Sequence, residues 1–301
     1  MRNRLVIFDG NHLAYRAYYK FGSLKTIEGT RTGVIYGMPY IAESLIRRLG
    51  ATSAVMTFDG GRHKSRLELL PDYKKRDKKL GFDAEDFFFQ KDEGMKLFMA
   101  LGLKVAWAKG WEADDIIAQI ARRYSQSGWD VIIVSADKDF HQLIQFPVLD
   151  EQGEITMFNP AKGKEFGYTT ISKEVGYTPE QCVDYLCLRG DKSDNIPGYP
   201  GIGEKRAIQF LGQFGSIKAF LKSDQTFGKM DKDKLRDIYK RNKGLIDLKF
   251  FYRKFMIKIP IPWVNPGILD MDELRIICPT YEINTFIKPQ FLNTFKKLQN
   301  G

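Results

Sequence analysis

Apolar residues along the chain follow two rhythms. Short unbroken runs, LVIF (5–8), AVMTF (54–58), LKVAW (103–107) and VIIV (131–134), have the form of strands buried on both faces. Over 33–49, 85–101 and 113–124 the apolar positions recur instead at the spacing of one helix face. This alternation predicts βαβ units and a mainly parallel sheet flanked by helices. EITMF (154–158) is a fifth candidate strand. Beyond about residue 170 the strand signal fades, and helical segments at about 179–189, 204–213 and 230–243 follow, joined by Gly- and Pro-rich turns. The expected fold is therefore an α/β part over residues 1–170 and a mainly helical part over 171–301. The last 50 residues carry no chemical motif.

The chain has 301 residues, 43% of them hydrophobic, enough for one large domain or two smaller ones. Lys and Arg (47) outnumber Asp and Glu (37), giving a net charge of +10 that favours a polyanionic partner. Three cysteines (Cys182, Cys187, Cys278) form no disulfide framework, and with only His12, His63 and His141 they do not space as a zinc site. The expectation is a reduced, cytoplasmic protein. The first apolar run ends at Asp9 and reads as a buried strand, not a signal peptide, and no run reaches the roughly 18 residues of a membrane span.

The acids change the picture. In GWEADDIIAQIARRY (110–124), Glu112, Asp114 and Asp115 stand ahead of an apolar helical stripe, where capping needs one or two. Asp9 and Asp59 follow the first two strands, and Asp137 and Asp139 follow the fourth. Any one of them could simply cap a helix or make a turn. Parallel strands, however, bring their carboxyl ends to one edge, where open α/β sheets bind ligands. Carboxylates gathered there repel unless a cation intervenes, and all-oxygen donors favour Mg²⁺ or Mn²⁺. Asp191 and Asp194, in GDKSDN, form a second group able to hold or approach a second ion. Nine carboxylates exceed the charge of two such ions, so some are expected to act through water.

NIPGYPGIGEKRAIQFL (195–211) has the form of a helix–hairpin–helix: Gly201 and Gly203 admit a phosphate to backbone N–H groups at a helix start that also carries Lys205 and Arg206. The basic stretch GGRHKSRLELLPDYKKRDKK (60–79) would draw a polyanion toward the acids. Tyr73 and Phe87, Phe88 and Phe89 could stack bases, although at least two of the phenylalanines are expected in the core.

Five ordered blocks, DGNHLAYRAYY, FDGGRHKSRLELLPDYK, GWEADDIIA, SADKDFHQL and GDKSDNIPGYPGIGEKRA, resemble the 5′ nucleases over roughly residues 4–245. These are the phage flap endonucleases/5′–3′ exonucleases and the 5′-nuclease domain of bacterial DNA polymerase I. The resemblance implies a PIN-like sheet with a helical arch at about 60–95, then a helix–hairpin–helix domain holding duplex DNA. It places a first metal site at Asp9, Asp59, Glu112 and Asp114, with Asp115 close by, and a second at Asp137, Asp139, Asp191 and Asp194, with Asp137 near both. It puts the arch lysine at Lys74, DNA contacts at Arg66, Tyr73, Lys74, Gly201, Gly203, Lys205 and Arg206, and a carbonyl-held potassium near Leu188, Arg189, Pro197, Tyr199 and Ile202. The family pattern Tyr-Lys-x-x-Arg is broken here, so Arg76 after a local shift, or Lys78, would supply the second arch cation. The implied activity is two-metal hydrolysis of DNA phosphodiesters at 5′ flaps, overhangs or nicks, or of RNA primers on DNA. The implied setting is replication or repair, by a stand-alone monomer in a bacterial or phage-infected cell. An RNA-cleaving PIN nuclease and a non-catalytic DNA-structure-binding protein are the alternatives.

Overall fold

The computed structural model describes residues 2–75, 81–146, 151–249 and 267–299. Its centre is a six-stranded sheet of order β3-β2-β1-β4-β5-β6. The strands are β1 (Arg4–Asp9), β2 (Ser53–Thr57), β3 (Lys104–Ala106), β4 (Asp130–Val134), β5 (Ile155–Asn159) and β6 (Lys164–Phe166). All neighbours pair in parallel except β5 with β6, an edge strand that no apolar run announced. Every expected strand is present within one to two residues of its sequence reading.

Alternation along the strands divides the interior in two. Val6 and Phe8 of β1, Met56 of β2 and Val134 of β4 pack under α1 (Gly10–Phe21), α2 (Gly33–Arg48) and α4 (Ala84–Ala100). Leu5, Ile7, Val55, Val131 and Ile133 face the other way, onto α5 (Ala113–Gln126). Chain order reverses between β1 and β4, so a crevice opens beyond the carboxyl ends of these two strands. Gly10 lets α1 start directly at that edge: a Cβ there would lie 2.5 Å from both the Phe58 ring and the Thr57 carbonyl oxygen.

The helical part comprises α7 (Cys182–Arg189), α8 (Glu204–Phe214), α9 (Ile217–Lys222) and α10 (Lys232–Ile246) around Leu186, Phe210, Phe220, Leu235 and Leu245. A two-stranded hairpin pairs Gly190–Asp191 with Ile196–Pro197 between α7 and α8. Gly190 has φ +77°, and a Cβ there would meet the Gly198 nitrogen at 2.4 Å, so the hairpin can close this tightly only with glycine. The buried side-chain amide of Gln142 joins the two parts. It donates to the carbonyls of Asp139 and Ile246 and accepts from the Leu248 N–H.

Two placements depart from the expected division of the chain. α6 (Tyr168–Val175) buries Ile171 against the sheet. The helices Met271–Thr280 and Pro289–Gln299 bury Leu274, Ile277, Phe291 and Phe295 in the core of the first part. Residues 267–299 thus complete the α/β part and do not extend the helical one. Their apolar spacing signals helices but does not say which core will receive them.

Gly10→Ala should overpack the α1–β2 junction and lower stability by about 1–3 kcal/mol, measured by denaturant unfolding.

Candidate active site: a carboxylate cleft at the sheet edge

The crevice is a cleft of about 700 Å³. Asp9, Asp59, Glu112, Asp114, Asp137 and Asp194 all line it. Asp9 ends β1 and caps α1, accepting from the His12 N–H at 3.0 Å and from the Ser135 hydroxyl beyond β4 at 2.9 Å. Asp59 accepts the Ala113 N–H at 2.8 Å, which fixes the start of α5 against β2. Asp137 caps the 3-10 turn Lys138–Leu143 and accepts the Asp139 N–H at 2.9 Å.

Two cations counter this charge from within. The Lys74 ammonium lies 2.6 Å from Glu112, 3.1 Å from Asp114 and 3.6 Å from Asp194. Lys74 itself has φ +52°, a left-handed conformation unusual for a non-glycine residue. Its surroundings hold it there: its N–H donates to the Asp194 carbonyl, Arg62 donates to the carbonyls of Tyr73 and Lys74, and the Asn195 amide reaches those of Asp72 and Lys75. Arg66, on α3 (Lys64–Leu69), forks onto both oxygens of Asp115 at 2.8 Å and also reaches Glu112 at 2.8 Å. The Tyr73 hydroxyl donates to Glu112 at 3.0 Å.

The carboxyls respond unequally. Burial alone would raise Glu112, but Lys74 and Arg66 outweigh it and push the group down to about 2. Burial, then the charge of Asp114, lifts Asp9 to about 7. Burial lifts Asp194 to about 7 although Lys74 opposes it, and lifts Asp115 to about 6 against Arg66. Asp59, Asp137 and Asp139 are also raised, burial being the largest cause in each. The cleft therefore carries more negative charge than its own cations balance. Its donors are oxygens apart from His12, a set suited to a hard divalent cation. One oxygen of the buried Asp139 has no hydrogen-bond partner. As they stand, no three His, Cys, Asp or Glu side chains among the described residues are close enough to share one ion. The Lys74 ammonium holds the space between Glu112, Asp114 and Asp194.

Six of the nine expected acids thus meet in the cleft. Asp115 points behind it into Arg66, Asp139 lies buried beneath the turn, and Asp191 is engaged by Lys138 and Ser193. The expectation of DNA contacts at Arg66 and Tyr73 is overturned: they are 1% and 2% exposed and face inward onto Glu112. Of the three phenylalanines only Phe87 is in the core, while Phe88 and Phe89 are 50% and 47% exposed. Arg76 and Lys78 lie outside the described residues. In the hairpin region Lys205 and Arg206 are exposed at the first turn of α8, beside Gly201 and Gly203. The Pro197 carbonyl, one of the expected potassium ligands, accepts from both Arg241 and Asn242. The carbonyls of Leu188 and Tyr199 accept the N–H groups of Tyr199 and Ile202. The sequence reading missed Ser135, Lys138 and Lys91, all near or lining the cleft.

Fold and cleft together define an α/β protein with an acidic sheet-edge site joined to a helix–hairpin–helix. Residues 4–175 match the family described as 5′-3′ exonuclease, N-terminal resolvase-like domain, and residues 177–256 match 5′-3′ exonuclease, C-terminal SAM fold. The chain belongs to the 5′-3′ exonuclease family. It is 33% identical to the 5′-3′ exonuclease of Aquifex aeolicus over 277 residues, 90% of this chain and 92% of that one. It is 34% identical to DNA polymerase I of Mycobacterium tuberculosis over 254 residues, 81% of this chain but only 27% of the polymerase. The fold is that of the T5 D15 protein crystallised with metal ions (TM-score 0.69, 21% identity, 99% of this chain and 100% of that one). It is also that of the catalytic core of Rad2 with DNA substrate (TM-score 0.57, 18% identity, 98% and 93%).

The Asp9 carboxyl sits at about 7 in the folded protein against 3.8 as its ordinary value. Between these values the unfolded chain releases a proton that the folded one keeps, so this group costs stability as pH rises. Asp9→Asn should therefore stabilise the metal-free protein near pH 8 by a few kcal/mol at most, at about 1.4 kcal/mol per pKa unit. The gain should vanish as pH falls toward about 4. Thermal melting of the two proteins across that range measures it.

Proposed function

We propose that the protein is a structure-specific 5′ nuclease that hydrolyses DNA phosphodiesters with bound divalent cations, Mg²⁺ or Mn²⁺, acting on 5′ flaps, overhangs or nicks. The observation that carries this reading is the convergence of six carboxylates from five separate segments on one cleft, with Lys74 clamped among them in a left-handed turn. Such a cleft repels a phosphodiester until cations enter. Asp9, Asp59, Glu112 and Asp114 on one side, and Asp137 and Asp194 on the other, would hold them. When bound, the metal would activate water and neutralise charge on the phosphate. Arg66 and Tyr73 fix the orientation of Glu112. Lys74, once released from the carboxylates, is placed to meet the phosphate as charge builds on it. Lys205, Arg206 and the glycine turn of the hairpin grip the duplex backbone without reading bases, so that DNA structure and not sequence selects the cut. Replication or repair, where 5′ ends are exposed, is the setting that such a substrate implies. The relatives' names support exonuclease action, and flap cleavage by the same site follows from access of a single strand.

A 5′-labelled flap is the direct test. Cleavage should require Mg²⁺ or Mn²⁺, and Asp137→Ala should abolish it. Free RNA cut in preference to the flap would favour an RNA nuclease, whereas tight flap binding without turnover would leave a binding protein.

Lys74→Ala should separate two roles of one side chain. The single-turnover rate on the flap should fall by about 10²–10³-fold, as for loss of a donor to developing charge. Without DNA, calorimetry should show tighter Mn²⁺ uptake, by a factor on the order of ten, because the competing ammonium is gone. Equal or weaker uptake would refute the competition.

A further inference from the structure

Lys91 lies on α4, where Phe87, Phe88 and Lys91 share one helix face, and all three line the carboxylate cleft. The other basic side chains lining the cleft are engaged. Lys74 is shared by three carboxylates, Arg62 donates to two backbone carbonyls, and Lys138 pairs with Asp191 at 2.9 Å. Lys91 differs. Its side chain is 12% exposed, and the carboxylate paired with it, among the described residues, is its chain neighbour Asp92 at 3.9 Å, itself 66% exposed. Its ammonium instead lies over two aromatic rings, 5.2 Å from the centre of Phe88 and 5.7 Å from that of Phe58. Phe58 immediately precedes Asp59, and Asp59 and Lys91 line the same cleft.

A lysine within reach of a strongly acidic cleft would be expected to fold onto a carboxylate. This one lies instead over two ring faces, which consume none of its three N–H donors. It is a cation with hydrogen-bonding capacity in reserve, beside a site that must receive an anion. We infer that Lys91 contacts a backbone phosphate of the substrate strand as it enters the cleft. The bland alternative is that the stem of Lys91 merely covers Phe58 and its charge has no task. The inference rests on the nuclease reading for the identity of the anion, a nucleic-acid phosphodiester.

Lys91→Met and Lys91→Arg distinguish these roles, since methionine keeps the apolar stem over the rings and arginine keeps the charge. Flap binding would be followed by fluorescence anisotropy without divalent ions at several salt concentrations, and single-turnover cleavage with Mg²⁺. Lys91→Met should weaken binding about tenfold and flatten the dependence of log affinity on log salt by about one. Cleavage at subsaturating enzyme should slow to match, and Lys91→Arg should restore both. Mn²⁺ uptake without DNA should be the same in all three proteins, because Lys91 touches no carboxylate of the cleft. A Lys91→Met protein with wild-type affinity, salt slope and rate overturns the inference, as does a Lys91→Met defect that arginine does not repair. If the wild type fails to cut any flap while Lys91→Met still flattens the salt slope, the nuclease reading falls and the phosphate contact stands.

Discussion

The rest of the site depends on one electrostatic constraint: carboxylates drawn to the same sheet edge by parallel topology must be kept there without a full complement of positive charge. Two buried cations carry this burden differently. Arg66 is spent on structure, its fork closed on Asp115 and Glu112 behind the cleft. Such a buried pair contributes less to net stability than to fixing where its members point, since both charges give up solvation. Lys74 faces the cleft and is shared among three carboxylates, so no single one owns it. Burial first, and the charge of Asp114 after it, raises Asp9 and Asp194. A cleft so short of positive charge is the basis of the proposed affinity for cations and, once they are bound, for a phosphodiester.

Lys74 also makes the cleft a joint property of both parts of the chain. The turn that carries it is anchored by Asp194 and Asn195, which belong to the loop of the two-stranded hairpin between α7 and α8, and Tyr73 beside it is buried in the helical core. On the other flank, Gln142 ties the carbonyl of Asp139 to the end of α10. Displacement of the helical part would therefore move Lys74 and the Asp137–Asp139 turn together. If the hairpin grips duplex DNA, as proposed, that grip and the geometry of the acids are mechanically linked.

Much of this was legible in the residues because it follows from periodicity and strand ends. The five buried runs, the helices between them and the convergence of Asp9, Asp59 and Asp137 needed no tertiary information. The misreadings have a common cause, which is direction. Asp114 and Asp115 are consecutive on a helix and so point about 100° apart, and here Asp114 lines the cleft while Asp115 turns behind it into Arg66. The same geometry prevents Phe87, Phe88 and Phe89 from all entering the core. Arg66 was read as a DNA contact in a basic stretch, yet α3 turns it inward onto Asp115 and Glu112. The helices at 271–280 and 289–299 fall in the last 50 residues, for which the sequence reading named no individual element, and amphipathic spacing does not in any case name its partner.

Direction also separates the four lysines and arginines around the acids. Arg66 points behind them, Lys74 among them, and Lys138 toward Asp191, each toward charge the protein itself supplies. Lys74 and Arg66 also lie over a ring, that of Tyr73, but both are held by carboxylates of the site, whereas Lys91 lies over Phe58 and Phe88 and pairs with none of them. If the acidic cleft receives a polyanion, as proposed, it cannot commit every cation to its own carboxylates, because the approaching phosphate would then meet only repulsion. Aromatic rings solve this: they hold an ammonium in place by weak attraction that an incoming phosphate easily outcompetes. The exposed Phe88, out of register with the core beneath α4, has a physical reason to be aromatic in its position under Lys91.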